Sequence, residues 1–275
     1  MITMFGGTRT FILILLVGVA APALAQAPAA VADGAALAKQ LANPVANLVS
    51  VPFQMNWDNG LGPTKEQTRF LLNFQPVLPF AVNKDWNLIA RVIVPVLSQP
   101  PLTATGQATF GISDLLVSAF VSPSVPKRFV WGIGPALLLP ATADPLLGTE
   151  KWAAGPTALV LKQSGHWTYG MLANQLWSYA GNSARPDINQ TYLQPFFSYT
   201  TKKALTLGLS SESTGNWKAA SGQTWTVPVI ANLSKLVMLG KRPISVGVSG
   251  AGYAAKPDGA PSWKFRAVIT LLFPK

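Results

Sequence analysis

The sequence predicts an all-β fold: a transmembrane, antiparallel, up-and-down β-barrel of about twelve strands. Three observations predict it. Charged residues are 11% of the 275, against roughly 25% in a soluble domain, while hydrophobic residues reach 49% and mean hydropathy is +0.31. That balance disfavours an ordinary cytosolic enzyme. Beyond the N-terminus, however, no apolar run reaches the about 20 residues that a helical membrane span needs, because 23 glycines and 23 prolines interrupt every such run. Even FVWGIGPALLLPATA is broken by Pro135 and Pro140. Finally, apolar residues recur at alternate positions within short segments bounded by Gly, Pro, Asn and Asp, as expected of strands with one face in lipid.

The chain divides into three parts. Arg9, the apolar run Phe11 to Ala21 and the small-residue triplet Ala23-Leu24-Ala25 form a secretory signal over residues 1–25, with cleavage expected after Ala25. Residues 26–42 read as a short periplasmic leader, with a plug as the alternative, carrying one short helix in which Asp33 is the cap, Leu37 and Leu41 share a face, and Asn43-Pro44 is the stop. Residues 43–275 are the barrel. Its twelve expected strands are Leu48 to Trp57, Arg69 to Phe80, Trp86 to Leu97, Phe110 to Ser122, Arg128 to Leu139, Trp152 to Lys162, His166 to Tyr179, Thr191 to Thr201, Ala204 to Glu212, Thr224 to Ser234, Ile244 to Tyr253 and Trp263 to Phe273.

Alternation is clearest in the last segment, where Trp263, Phe265, Ala267, Ile269, Leu271 and Phe273 form an apolar file opposite Lys264, Arg266 and Thr270. That strand, closing on an aromatic, is also the expected handle for the barrel-assembly machinery. In the seventh segment Trp167, Tyr169, Met171, Ala173, Trp177 and Tyr179 share a face. Trp167 and Trp177 lie about 24 Å apart along the membrane normal, at the expected heights of the two aromatic girdles. The fifth segment is apolar on both faces, so its lipid face stays unassigned.

Connections alternate between long and short, as between an extracellular and a periplasmic side, except for a longer link from Lys235 to Pro243. The formal charge of +11 is dispersed, not gathered into a patch, so no nucleic-acid partner is expected. Lys84, Lys127, Arg128, Lys162, Lys202, Lys203, Lys235, Lys241 and Arg242 lie on or beside the short turns, where outer-membrane lipid headgroups are the expected partners. Asp58, Glu66, Asp144, Glu150, Asp187 and Asp258 fall in the long loops.

Without cysteine the chain has no thiol nucleophile, disulfide or cysteine-ligated metal. His166, the single histidine, opens a strand beside a short turn with Thr168, not serine, two places along it, and reads as a structural interface residue. No catalytic, metal or cofactor-binding set emerges, and the chain is expected not to be an enzyme. Prolines within strands, such as Pro76, Pro95, Pro156, Pro195 and Pro228, cost ladder bonds and mark bulges or openings in the wall. Parity turns Arg69, Arg91, Lys264 and Arg266 into the lumen, opposed by Asp114 and Glu212. An excess of lumen cations favours anions in a narrow pathway, unless the arginines pair with carboxylates and simply fill the interior.

NPVANLVSVPFQMNW, DWNLIARVIVPV, WGIGPALLLPATAD, LGTEKWAAGPTALVL, LANQLWSYAG, GNWKAASGQTWTVPV and FRAVITLLFPK, in this order from Asn43 to Lys275, resemble a family of bacterial outer-membrane transporters often labelled neuromedin U-like. The family is related to barrels encoded with meta-pathway phenol-degradation genes. The resemblance implies an outer-membrane channel for small-molecule solutes, anionic or aromatic and hydrophobic in character. The alternative is a structural or surface-binding barrel with a filled lumen.

Overall fold

The computed structural model describes residues 34–101, 106–126, 128–142 and 144–274. The signal and its cleavage site, the Asp33 cap, the turn cation Lys127 and the terminal Lys275 lie outside the described residues. The described chain has one helix, α1 (Gly34–Leu41), and fifteen strand segments: β1 (Val49–Leu61), β2 (Gln67–Phe74), β3 (Val77–Ala81), β4 (Trp86–Gln99), β5 (Thr109–Ile112), β6 (Leu115–Pro123), β7 (Val130–Leu139), β8 (Lys151–Ser164), β9 (Trp167–Gly181), β10 (Asn189–Thr200), β11 (Leu205–Ser210), β12 (Ser213–Asn216), β13 (Trp225–Leu239), β14 (Arg242–Ala255) and β15 (Trp263–Phe273). The pairs β2/β3, β5/β6 and β11/β12 are each one stave interrupted near its middle, so the wall has twelve staves. Consecutive staves pair antiparallel, β9 with β10 as well, and β15 returns to β1 from Val49↔Phe273 to Asn59↔Trp263. Among the described residues no sheet edge is left open to lipid.

Alternation decides which way each side chain faces. On β15 the apolar file is outward and Arg266, Thr270 and Leu272 are buried inward; on β9 Trp167, Tyr169, Met171 and Trp177 face out while Thr168, Leu172 and Leu176 face in. Ile269 lies near mid-stave. Ile269→Arg is therefore expected to cost about 2–4 kcal/mol, the penalty for a cation at mid-bilayer, read from urea unfolding in lipid vesicles by tryptophan fluorescence.

β7, whose faces the sequence could not tell apart, shows Ile133 and Leu137 to lipid and Gly132 and Ala136 to the interior. Its lumen positions are apolar because they belong to an apolar part of the interior. Pro135 faces Pro156 across β7/β8, and the flanking glycines bring the neighbouring strands close: a Cβ on Gly134 or on Gly155 would stand 1.8 Å from the carbonyl oxygen of Ala119 or of Gln175.

The long connection expected between Lys235 and Pro243 is not a loop. β13 runs to Leu239 and β14 starts at Arg242, leaving a turn at Gly240-Lys241 in which Gly240 has φ 60°. This turn is thus as short as the one between β8 and β9, at the same end of the barrel.

The interior is occupied at that same end. Leu37 and Ala38 of α1 pack with Ala46, Leu48, Ala204, Leu236 and Leu272, and Leu41 leans on this group. The carbonyl of Lys39 accepts from Gln163 Nε2 at 2.8 Å. Asn43 turns the chain through its side chain, which accepts from the Val45 backbone N–H. Val45 then enters a second cluster with Ile89, Phe120, Leu159, Leu161 and Leu172. The segment read from sequence as a leader therefore carries its helix into the mouth of the barrel.

Candidate functional site in the barrel lumen

Prolines shape the lumen through the wall. A proline offers a carbonyl but no N–H, so the facing strand can bond once and must then leave the ladder. Gln75 N–H donates to the Pro52 carbonyl (3.0 Å), Ser113 N–H to Pro95 (2.9 Å) and Ser211 N–H to Pro195 (3.1 Å). The three stave breaks occur at these places, and they turn Gln75, Asp114 and Glu212 into one shared cavity. The sequence carried a usable signal for this: a strand proline facing a polar residue on the next stave.

On the arc formed by β15, β1, β2 and the β11/β12 break the lumen is ionic. Arg266 forms a fork with Glu212, both N–O distances being 2.7 Å, and its Nε donates to Asn56 Oδ1 at 2.6 Å. Asn56 is itself fixed by bonds from its Nδ2 to the carbonyls of Gln54 and Leu71. Asp58, expected in an extracellular loop, lies in β1 with its side chain 1% exposed, between Arg69 (2.7 Å) and Lys264 (3.4 Å). It escaped the sequence reading because β1 extends four residues past Trp57. Three of the four inward cations expected from parity are thus paired in place, Arg69 and Lys264 sharing the one carboxylate of Asp58.

Arg91 is the fourth. It has no carboxylate within ion-pair distance among the described residues; its Nη2 donates to Gln75 Oε1 at 3.2 Å, and Gln75 Nε2 in turn donates to Gln54 Oε1 at 3.1 Å. Asp114 is drawn toward the other rim, where Oδ2 accepts from the Thr149 backbone N–H (2.7 Å) and hydroxyl (2.5 Å). The structure therefore brings Arg91, Asp114 and Glu212 to one cavity but separates their partners.

Three chambers follow one another through the barrel. An outer one of about 490 Å³ is lined by Arg69, Lys264, Tyr253 and Asp258; a central one of about 400 Å³ by Asp114, Leu116, Phe120 and Leu172; an inner one of about 240 Å³ by Gln40, Leu41 and Pro44. Tyr192 and Glu212 line both the outer and the central chamber, and Gln54, Gln75, Arg91 and Gln194 both the central and the inner one. Parity places Gln75 on the face of Arg69, but sequence reasoning missed Tyr192, Gln54 and Gln194, because inward polar residues without charge look the same as solvated ones. Opposite the ionic arc, the staves from β4 to β10 present Ile89, Phe120, Leu159, Leu172, Tyr192 and Phe196. An apolar cluster thus faces the ion pairs across the lumen, and Arg91 of β4 and Asp114 of the β5/β6 break stand on its side.

At the long-loop end Lys151 beside Asp187 (2.9 Å) holds that carboxyl below its ordinary range, with a bond from Ser178 adding to the effect. A carboxyl lowered on folding stabilises above its unfolded pKa, and the tie is lost as pH falls through the lowered value. The tie therefore holds at neutral pH. Arg185 joins the same loops by donating to the carbonyls of Pro145 and Gly148. His166 stands at the short-turn end, with Nδ1 2.7 Å from the Thr200 carbonyl oxygen and its ring 5.3 Å from that of Tyr199.

No family model matches the chain, and no curated protein matches it in sequence. Solved structures do match. An outer-membrane channel from Pseudomonas putida F1 is 14% identical over 82% of this chain and 94% of its own, with TM-score 0.64. The NanC porin is 10% identical over 82% of this chain and 100% of its own, with TM-score 0.51. Outer-membrane phospholipase A from Escherichia coli also shares the architecture, at 9% identity over 89% of this chain and 99% of its own, with TM-score 0.45. The expectation that the chain is not an enzyme does not stand, since a fold by itself offers no ground for excluding catalysis. The lipid-facing aromatic files, the closed wall and these similarities make the chain a twelve-stranded β-barrel of the bacterial outer membrane, with the fold of outer-membrane channels.

Proposed function

We propose that the barrel passes small solutes that combine an anionic or weakly acidic group with an apolar or aromatic body. The observation that carries this reading is Arg91, the lumen cation without a carboxylate partner among the described residues, at the junction of the central and inner chambers. A carboxylate presented to it would exchange water for a charge-assisted fork, while the body of the solute lies against Phe120 and Leu172. Arg69, Lys264 and Arg266 contribute less, since each is already engaged by Asp58 or Glu212.

Reversal potentials of single channels in a salt gradient test it. The wild type is expected to prefer anions, and Arg91→Gln to reduce that preference by at least about twofold, since one fixed charge in a low-dielectric pathway changes the local ion concentration by that order or more. Arg266→Gln is expected to change selectivity less than Arg91→Gln. Cation selectivity in the wild type, or no response to Arg91→Gln, would refute the reading. The second reading, a barrel without transport, is favoured by α1 and Val45 within the lumen. It requires that no conductance be recorded.

A further inference from the structure

The outer wall at the short-turn end carries a group of side chains that neither the lumen nor the fold accounts for. Phe129, just before β7, is 45% exposed. The guanidinium carbon of Arg128 lies 5.7 Å from the centre of its ring and the ammonium of Lys162 on β8 lies 6.0 Å from it. Two cations are thus gathered round one aromatic ring, and neither has a carboxylate partner among the described residues. Like charges so placed repel, and an anion between them turns that cost into an attraction. The ring holds both cations close to the wall through its negative face.

We propose that Arg128 and Lys162 bind the phosphate of an anionic phospholipid in the periplasmic leaflet. Its acyl chains run up the lipid face of β7 and β8. The height is right, because Lys162 is paired with Tyr169, in the same belt as Trp167, where headgroups meet hydrocarbon. The surface above is right as well: Val160 and Ile133 are exposed outward on adjacent strands, as a chain-lining surface requires. The site concerns lipid only, and holds whatever the lumen carries.

Native mass spectrometry of the purified full-length protein, released from detergent containing equal phosphatidylglycerol and phosphatidylcholine, tests it. The wild type is expected to retain phosphatidylglycerol in preference. R128Q/K162Q is expected to lose about tenfold or more of that retention, since each cation at a charged surface strengthens the attraction severalfold. The control K65Q/K218Q removes two cations from loops at the opposite end of the barrel, between β1 and β2 and between β12 and β13, and should leave retention unchanged. Heat-modifiable gel migration confirms that all three proteins are folded. Inorganic phosphate at millimolar concentration should not displace the lipid, since it has no chains to lay on β7 and β8. Equal retention of both lipids by the wild type, equal loss in the control, or displacement by inorganic phosphate would each overturn the proposal.

Discussion

Glu212→Ala is expected to be the most damaging single change in the lumen, lowering stability by about 3–5 kcal/mol, as removal of one partner of a buried ion pair does. The substitution strands Arg266, whose side chain is 8% exposed and whose remaining bond is the one to Asn56. The guanidinium then loses both bonds of the fork. A second variant separates the loss of the pair from the loss of a side chain. Glu212→Leu with Arg266→Met removes both charges and replaces them with apolar groups of similar size, which is close to neutral in comparable buried pairs. Urea unfolding in vesicles measures both. If Glu212→Ala unfolds at the wild-type urea concentration, the fork does not hold the β11/β12 break to β15.

Removing residues 34–47 while keeping everything before them is expected to raise single-channel conductance several-fold. The wall is closed by its own strand pairs, from β1–β15 round to β9–β10, and does not depend on α1 for closure. What the segment supplies is the filling of the inner end. The deletion uncovers Leu236, Leu272 and Ala204, so some loss of stability accompanies the gain in conductance. Val45→Asp is a gentler probe of the same contact: a carboxylate among Ile89, Phe120 and Leu159 would be driven out, taking the segment with it. Conductance unchanged in both variants would mean that the narrowest point lies elsewhere, at Tyr192 and Glu212.

The sequence disclosed the barrel because lipid contact imposes a strict rule on one face. β15 and β9 obey it with large side chains, Trp263, Phe265, Trp167 and Trp177 among them, and their faces could be assigned from parity alone. β7 resisted because the lumen near it is apolar, so Gly132 and Ala136 erase the contrast that alternation needs. The candidate site was legible to the extent that charge and parity determine it: Arg69, Arg91, Asp114, Glu212, Lys264 and Arg266 all belong to the interior or its rim. What parity could not give was their pairing. Asp58 had to be carried into β1 by an extension of that strand before Arg69 and Lys264 had a partner. The fork between Arg266 and Glu212 required a stave break whose cause, Pro195, sits on a different stave.

The tight turns at Gly165-His166 and Gly240-Lys241 bear on how the barrel is made. Each joins two strands of fourteen or fifteen residues whose partners are neighbours in the chain, so the β8–β9 and β13–β14 hairpins close small loops and gain long ladders at once. The β1–β15 seam is the opposite case, since its partners stand at the two ends of the barrel sequence and meet only after the chain between them has been ordered. Loop-closure entropy therefore sets the sequence of events, with the two hairpins as local nuclei and the seam as the last step. Arg266 and Asn56 meet across that seam, and Glu212 joins them from the interior. The bond between Arg266 and Asn56 forms only when the cylinder seals, which makes it a clasp that slows reopening and has little influence on how quickly the early hairpins form.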